Sequence, residues 1–325
     1  MTPKYLKIAV LAAAATIAGG CAKVELTPVN IAPLYSLFEH YDSMPEARRD
    51  SILHVDSLAI SAMMSYMGHD TVSDSTLSDW ANSAAVRIFT PAVDSVYPSL
   101  RPLGEEFAII LANAAKEGFS LPKRQYAATV WGMSKSMVLT DSVMLIALNH
   151  YLGADYPGYH GWPEYMRTVK TPKRLPYDFT EALLANAYPY RQGAESTVLS
   201  RLVYEGALVM AKIKLVPEGN LAEALGYDRR QMEWLSSHSS EIWNTLVRGN
   251  MLYSTSTDIA DRLTTPSAVT AILSPEAPGR AGRYIGYQIV LSFMENNATT
   301  PLPSLLQPEF YANPSLLIES AYSGG

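Results

Sequence analysis

The chain reads as a mainly α protein of the α+β class, one helical domain with a small antiparallel sheet, and three features predict this. Apolar residues recur at helical spacing over most of its 325 residues. Cap residues and glycines bracket several of those stretches. Only one window, 125–148, switches to short runs of β-forming residues separated by turn signals.

Taken in order, residues 21–33 read as a short tether ahead of a domain over 34–325. Ser43-Met44-Pro45-Glu46 predicts a helix start, with Ser43 as cap, Pro45 in the first turn and Glu46 closing a capping box. Ile52, Leu53, Val55, Leu58, Ile60, Met63, Met64 and Met67 then give a broad apolar side to about residue 67. A second helix is expected from Asp74, with Leu77, Trp80, Ala84 and Ile88 on one face, and a third over about 104–117, stopped by Gly118. Gln125 to Gly132, Met137 to Thr140 and Val143 to Leu148 supply the sheet. From Gly153 to Pro176 the chain is aromatic and proline-rich, as in a long ordered loop. Helices are expected at about 178–187, 196–214, 228–248 and 281–296, and Asn313-Pro314 opens a last short one.

The N-terminus fixes an expected location. Lys4 and Lys7 precede a ten-residue apolar run, Ile8 to Ile17, which is too short to span a bilayer and reads as a signal peptide over 1–20. Ala18-Gly19-Gly20-Cys21 resembles the lipobox at which a bacterial signal peptidase leaves an acylated cysteine. Small residues suit a narrow cleft, and the thiol is the nucleophile that takes the diacylglycerol. Diacylglycerol and an amide-linked acyl chain of the palmitate type give the two or more chains that stable anchoring needs. Cys21 is the single cysteine, so lipidation leaves no thiol for redox chemistry, disulfides or cysteine-held metal. The chain carries 25 basic and 31 acidic residues, net −6, and losing Lys4 and Lys7 with the signal brings it near −8. That balance, without a basic cluster, argues against a nucleic-acid partner.

Catalytic signatures are few. There is no H-E-x-x-H, no G-x-S-x-G and no phosphate-binding glycine loop. His40, His54, His69, His150, His160 and His238 are scattered, none at metal-ligand spacing from another, so neither metal nor cofactor is expected. Gly282-x-x-x-Gly286 matches a helix-packing motif and reads as close helix contact inside the fold.

Leu152-Gly153-Ala154-Asp155-Tyr156-Pro157, Leu202-Val203-Tyr204-Glu205-Gly206, Ile242-Trp243, Met251-Leu252-Tyr253-Ser254 and the stretch Ala277-Pro278-Gly279-Arg280-Ala281-Gly282-Arg283-Tyr284-Ile285-Gly286-Tyr287-Gln288-Ile289-Val290 resemble the gliding-motility-associated lipoprotein B family. Leu317-Ile318-Glu319-Ser320-Ala321-Tyr322 and the lipobox fit it too. The resemblance runs over roughly 30–322. It implies an envelope lipoprotein of a Gram-negative bacterium linked to surface gliding and its secretion system, anchored in the outer membrane facing the periplasm, with envelope proteins as partners.

A fainter resemblance is to gluzincin-type zinc peptidases, through the order of small sheet, short helix and a helix bearing Glu-Gly-Ala. Such sites need two histidines one helical turn apart, a glutamate between them as general base, and a third ligand on the next helix. In Phe179-Thr180-Glu181-Ala182-Leu183-Leu184, Glu181 keeps the base position while Thr180 and Leu184 replace the histidines, and Glu205 stands at the third-ligand spacing. The resemblance therefore implies a degenerate core without zinc. The competing reading makes Glu181 a solvated helix residue and Glu205 a structural acid against Arg280 or Arg201.

The expected function is a non-catalytic component of a gliding-motility, secretion-type or related outer-envelope assembly. Two alternatives stand beside it. One is a hydrolase of metallopeptidase-like ancestry using Glu181 and Glu205 as an acid/base pair. The other is a surface lipoprotein that binds glycan or peptide, with Tyr156, Tyr159 and Trp162 as platforms and with Arg280, Arg283 and Tyr284 facing the same cleft as Glu205.

Overall fold

The computed structural model describes residues 26–133, 135–193 and 196–324. Cys21, the signal segment and the first part of the tether lie outside the described residues.

The chain starts with strand β1 (Ile31–Pro33) and helices α1 (Leu34–Leu37), α2 (Glu46–Val55), α3 (Ser57–Tyr66), α4 (Asp74–Ala81), α5 (Ala84–Val96) and α6 (Arg101–Lys116). Strands β2 (Gln125–Thr129), β3 (Met137–Leu139) and β4 (Val143–Ala147) follow, then α7 (Glu164–Arg167), α8 (Leu175–Ala187), α9 (Val198–Leu215), α10 (Leu221–Leu225), α11 (Arg229–Ser237) and α12 (Ser239–Arg248). Helices α13 (Thr257–Thr264), α14 (Ala281–Asn296), α15 (Pro308–Tyr311) and α16 (Leu316–Ser320) complete it. The protein is mainly helical with one small sheet, as the sequence predicts.

The sheet differs from the expectation in its pairing. It is mixed, not antiparallel, with four strands in the order β1-β2-β4-β3. β3 and β4 form the expected antiparallel pair, but β4 inserts between β3 and β2, so β2 and β4 run parallel with Ala127 opposite Leu145. All five residues of β4 are buried, the mark of a central strand covered on both faces. The tether also ends early: β1 pairs parallel with β2, and its Ile31 and Ala32 are buried. On one face of the sheet Thr129 gives its hydroxyl hydrogen to Met63 Sδ of α3 at 3.2 Å. On the other, Tyr126 meets Phe179 of α8, whose ring stacks on Phe107 of α6 with centroids 3.6 Å apart.

Three predicted helices are each two. The first breaks at Asp56, and its start is capped otherwise than expected: Ser43 Oγ donates to the His40 carbonyl, and no side chain caps Glu46. The second breaks at Asn82, where Ser83 accepts from Val86 N and begins α5, turning Ile88 out to solvent. The third breaks at His238. Apolar residues on several sides of a helix, such as the exposed Val55 and Leu58, hide such breaks from periodicity.

The core of the second half is α9 against α14. Thr197 and Ser200 form a reciprocal capping box that starts α9, and almost every α9 residue up to Leu215 is buried. Gly206 and Gly286 face each other where the backbones touch: a Cβ on Gly286 would run into the Leu202 carbonyl, and one on Gly206 into the peptide of Gly286. Gly282 has the same role beside Leu202 and Leu263. The G-x-x-x-G pair is thus an intramolecular helix contact, as the sequence suggests.

Candidate functional site

This close approach brings three helices' charges together. Arg283 of α14 has no exposed side-chain surface, and its Nη2 lies 3.0 Å from Glu181 Oε1 of α8 while its Nε lies 3.1 Å from Glu205 Oε2 of α9. The other Glu205 oxygen takes Arg201 at 2.8 Å, one helical turn back. The other Glu181 oxygen takes the fully buried Lys212 ammonium at 2.5 Å, which also donates to the Ala224 carbonyl. Arg280 reaches Glu181 only at 4.0 Å and gives its Nε hydrogen to the Thr264 carbonyl. Arg174 closes the cluster, bonded to Asp178 at 2.7 Å and to the carbonyls of Glu223 and Ala224. Among the described residues five cations thus share three carboxylates, and Arg283 Nη1 is buried with neither a hydrogen-bond nor an ion-pair partner.

The electrostatics follow from that count. Burial pushes the Glu181 carboxyl up, but Arg283, Lys212, Arg280 and Arg174 outweigh it and hold it well below its ordinary 4.5. Burial lowers Lys212 to about 7 against the pull of Glu181, and burial with the neighbouring Arg283 lowers Arg280 to about 10. A carboxylate held by this many cations is a poor proton acceptor, so Glu181 lacks the raised pKa that a general base near neutrality needs. The solvated-residue reading of Glu181 is also corrected: its carboxylate is only 25 % exposed and fully engaged. Glu205 is the structural acid expected, paired with Arg201 but with Arg283 in place of Arg280.

Thr180 and Leu184, where a gluzincin carries its histidines, are buried, and Thr180 returns its hydroxyl to the Pro176 carbonyl one turn back. Among the described residues no group of three or more His, Cys, Asp or Glu side chains could hold a metal ion. Nothing in this arrangement supports the zincin likeness.

The aromatic loop packs mostly on itself. Tyr159 is fully buried, donates to the Asn149 carbonyl and accepts from Leu152 N, so it is a pillar of the loop and no platform. Tyr156 lies edge-on to it at 5.1 Å, and Trp162 stacks on its other side at 6.0 Å. Tyr284 is buried as well, its hydroxyl accepting from Ser239 Oγ. Of the six proposed binding residues, Tyr159, Arg283 and Tyr284 are therefore closed off by packing, and Tyr156 and Trp162 remain half-buried on the loop.

Arg280 alone among them lines a recess. It is the left-handed residue (φ 67°) ahead of α14. The recess, about 190 Å³, lies between the loop, α10–α11 and the Pro278-Gly279-Arg280 turn, and its walls include Tyr165, Lys170, Leu225, Tyr227, Gln231 and Arg280. It opens into a wider cleft of about 1290 Å³ that shares Tyr165, Gly226, Tyr227 and Gln231. Lys170 reaches His150 Nδ1 at 2.9 Å and lies 5.4 Å from the Trp162 ring centre. His150 is buried, and burial together with the Lys170 charge lowers it to about 3, which keeps its ring neutral and able to accept that bond.

Sequence reasoning missed Lys212, Arg174, Asp178, Lys170 and His150. The first three carried a signal: Arg174 and Asp178 are four residues apart, and Lys212 lies two turns beyond Glu205 on the same face of α9. His150 and Lys170 are brought together only by the fold.

The family described as gliding motility protein GldB matches the chain over residues 23–324. No curated protein matches the chain. No solved structure matches it.

Proposed function

The chain belongs to the gliding motility protein GldB family, and on that premise we propose that it is an outer-envelope lipoprotein, held by acyl chains on Cys21, that acts as a non-catalytic component of a gliding-motility or secretion-type assembly. The observation that carries this reading is the match over residues 23–324, nearly the whole chain. Two features support its parts. No helix among the described residues is long and apolar enough to cross a membrane, which is consistent with a domain held by a lipid anchor. The two carboxylates that a hydrolase would use are locked into ion pairs that join α8, α9 and α14, a structural use of charge.

Crosslinking in intact cells followed by affinity purification from the membrane fraction tests the assembly role. Envelope proteins should co-purify in fixed ratio with the wild-type chain and not with a chain carrying Cys21→Ser. Recovery of the chain alone, or hydrolysis of a casein-like substrate abolished by Glu181→Gln in a folded variant, would reject it.

A further inference from the structure

We propose that the recess between Lys170 and Arg280 seats the terminal carboxylate of a peptide whose chain lies along the adjoining cleft. Among the described residues, the recess wall contains two cationic side chains and no acidic one. Both cations have hydrogen-bonding capacity left over. Lys170 has no carboxylate within ion-pair distance among the described residues and spends one N–H on neutral His150. Arg280 spends Nε on Thr264, and the carboxylate within ion-pair distance of it among the described residues, Glu181 at 4.0 Å, is already taken by Lys212 and Arg283. A buried cluster with more cations than carboxylates lies directly behind, so the field at the recess favours an added anion.

The kind of anion follows from the walls. Met166, Val169 and Leu225 line the same space, which suits an apolar terminal side chain beside the carboxylate. The wider cleft is lined by five acidic side chains, Glu223 and Glu276 among them, and three cationic ones, a mixed rim with an acidic excess that repels a polyanion and can pair with a peptide backbone or mixed side chains. Its volume, about 1290 Å³, holds several residues of extended chain. The backbone agrees: Arg280, which lines the recess, occupies the left-handed region, a strained placement for a non-glycine residue of the sort found at ligand clamps.

The test uses the full-length chain in detergent micelles and a fluorescein-labelled pool of random hexapeptides ending in leucine, made once as free acids and once as C-terminal amides. Fluorescence polarisation should show saturable binding of the acid pool and binding weaker by about tenfold or more for the amide pool, the size expected of a charge-assisted pair. Lys170→Met, with its melting temperature checked, should bring acid binding down to the amide level, and Lys170→Arg should restore it. Equal binding of acid and amide, or no binding of either at millimolar concentration, would overturn the proposal. So would an oligogalacturonate that binds through Lys170 while the peptides do not. None of these outcomes bears on the envelope-assembly reading, which stands on separate observations.

Discussion

Lys212, with no solvent-exposed surface, holds its ammonium 2.5 Å from the Glu181 carboxylate, and the two helices that carry them are thereby tied by a buried charge. The pair is asymmetric. Glu181 has Arg283 as a second strong partner, whereas among the described residues Lys212 has only the Ala224 carbonyl besides Glu181. Glu181→Gln should therefore leave an uncompensated buried ammonium and cost about 3–5 kcal/mol. Lys212→Met, which removes the cation and keeps an apolar stem, should cost less, about 1–3 kcal/mol. Urea unfolding of the two variants measures the order, and a larger loss for Lys212→Met would refute this account of the cluster.

A second expectation concerns acid. His150 is lowered to about 3 in the native chain against an ordinary 6.5, so below 6.5 the unfolded chain binds a proton that the native one refuses. Stability should fall as pH drops from about 6.5 toward 3, by about 2–3 kcal/mol at pH 4.5 at roughly 1.4 kcal/mol per unit. Glu181 acts in a lower window: its native value is depressed, so its contribution is complete above about 4.5 and is lost as pH falls through the native value. Between pH 6 and 5, below the value of about 7 to which Lys212 is lowered, the slope thus reports chiefly His150. Unfolding measured across that range should flatten in His150→Gln, whose amide oxygen can still accept from Lys170; an unchanged slope would count against a buried neutral ring.

The α9–α14 contact makes a third. Because Gly286 lies against the Leu202 carbonyl and Gly206, even Gly286→Ala must push the helices apart, with a loss at or above the usual 1–3 kcal/mol of overpacking. Gly132→Ala, where an added Cβ meets nothing within 4 Å, is the matched control. A melting temperature lowered by the first substitution and not by the second is the expected result. Separation of the helices would also pull Arg283 away from Glu181 and Glu205, so the loss should be non-additive with Glu181→Gln.

What the sequence disclosed tracks how local each signal is. The start and stop of α9 were legible because Thr197 and a regular apolar pattern lie within the segment itself. The run of β4 was legible as a strand, yet its central place was not, since register and strand order are set by long-range packing that β-propensity does not encode. At the site, Glu181, Glu205, Arg201, Arg280 and Arg283 were singled out, and the fold does gather them. Their pairings were anticipated only for Arg201 with Glu205, one turn apart on α9, because ion-pair partners on three different helices leave no spacing in one dimension. Lys170 and His150, twenty positions apart on irregular chain, left none at all.

The last prediction concerns the anchor, which lies outside the described residues. On the proposed reading, the apolar run Ile8 to Ile17, the small residues Ala18 to Gly20 and the single cysteine Cys21 lead to cleavage and thioether formation. An oxygen in place of that sulfur is a far weaker nucleophile toward the diacylglycerol donor, and cleavage by the lipoprotein peptidase follows lipidation. Cys21→Ser should thus abolish incorporation of a clickable fatty-acid analogue and leave the chain uncleaved or released from the membrane fraction. A single acyl chain gives only marginal membrane binding, so serine-variant chains released without any acyl chain should leave the detergent phase on Triton X-114 partitioning, while uncleaved ones show as a band larger by the signal segment. Label incorporated into the serine variant, or a wild-type chain that partitions to the aqueous phase, would reject lipidation at this residue.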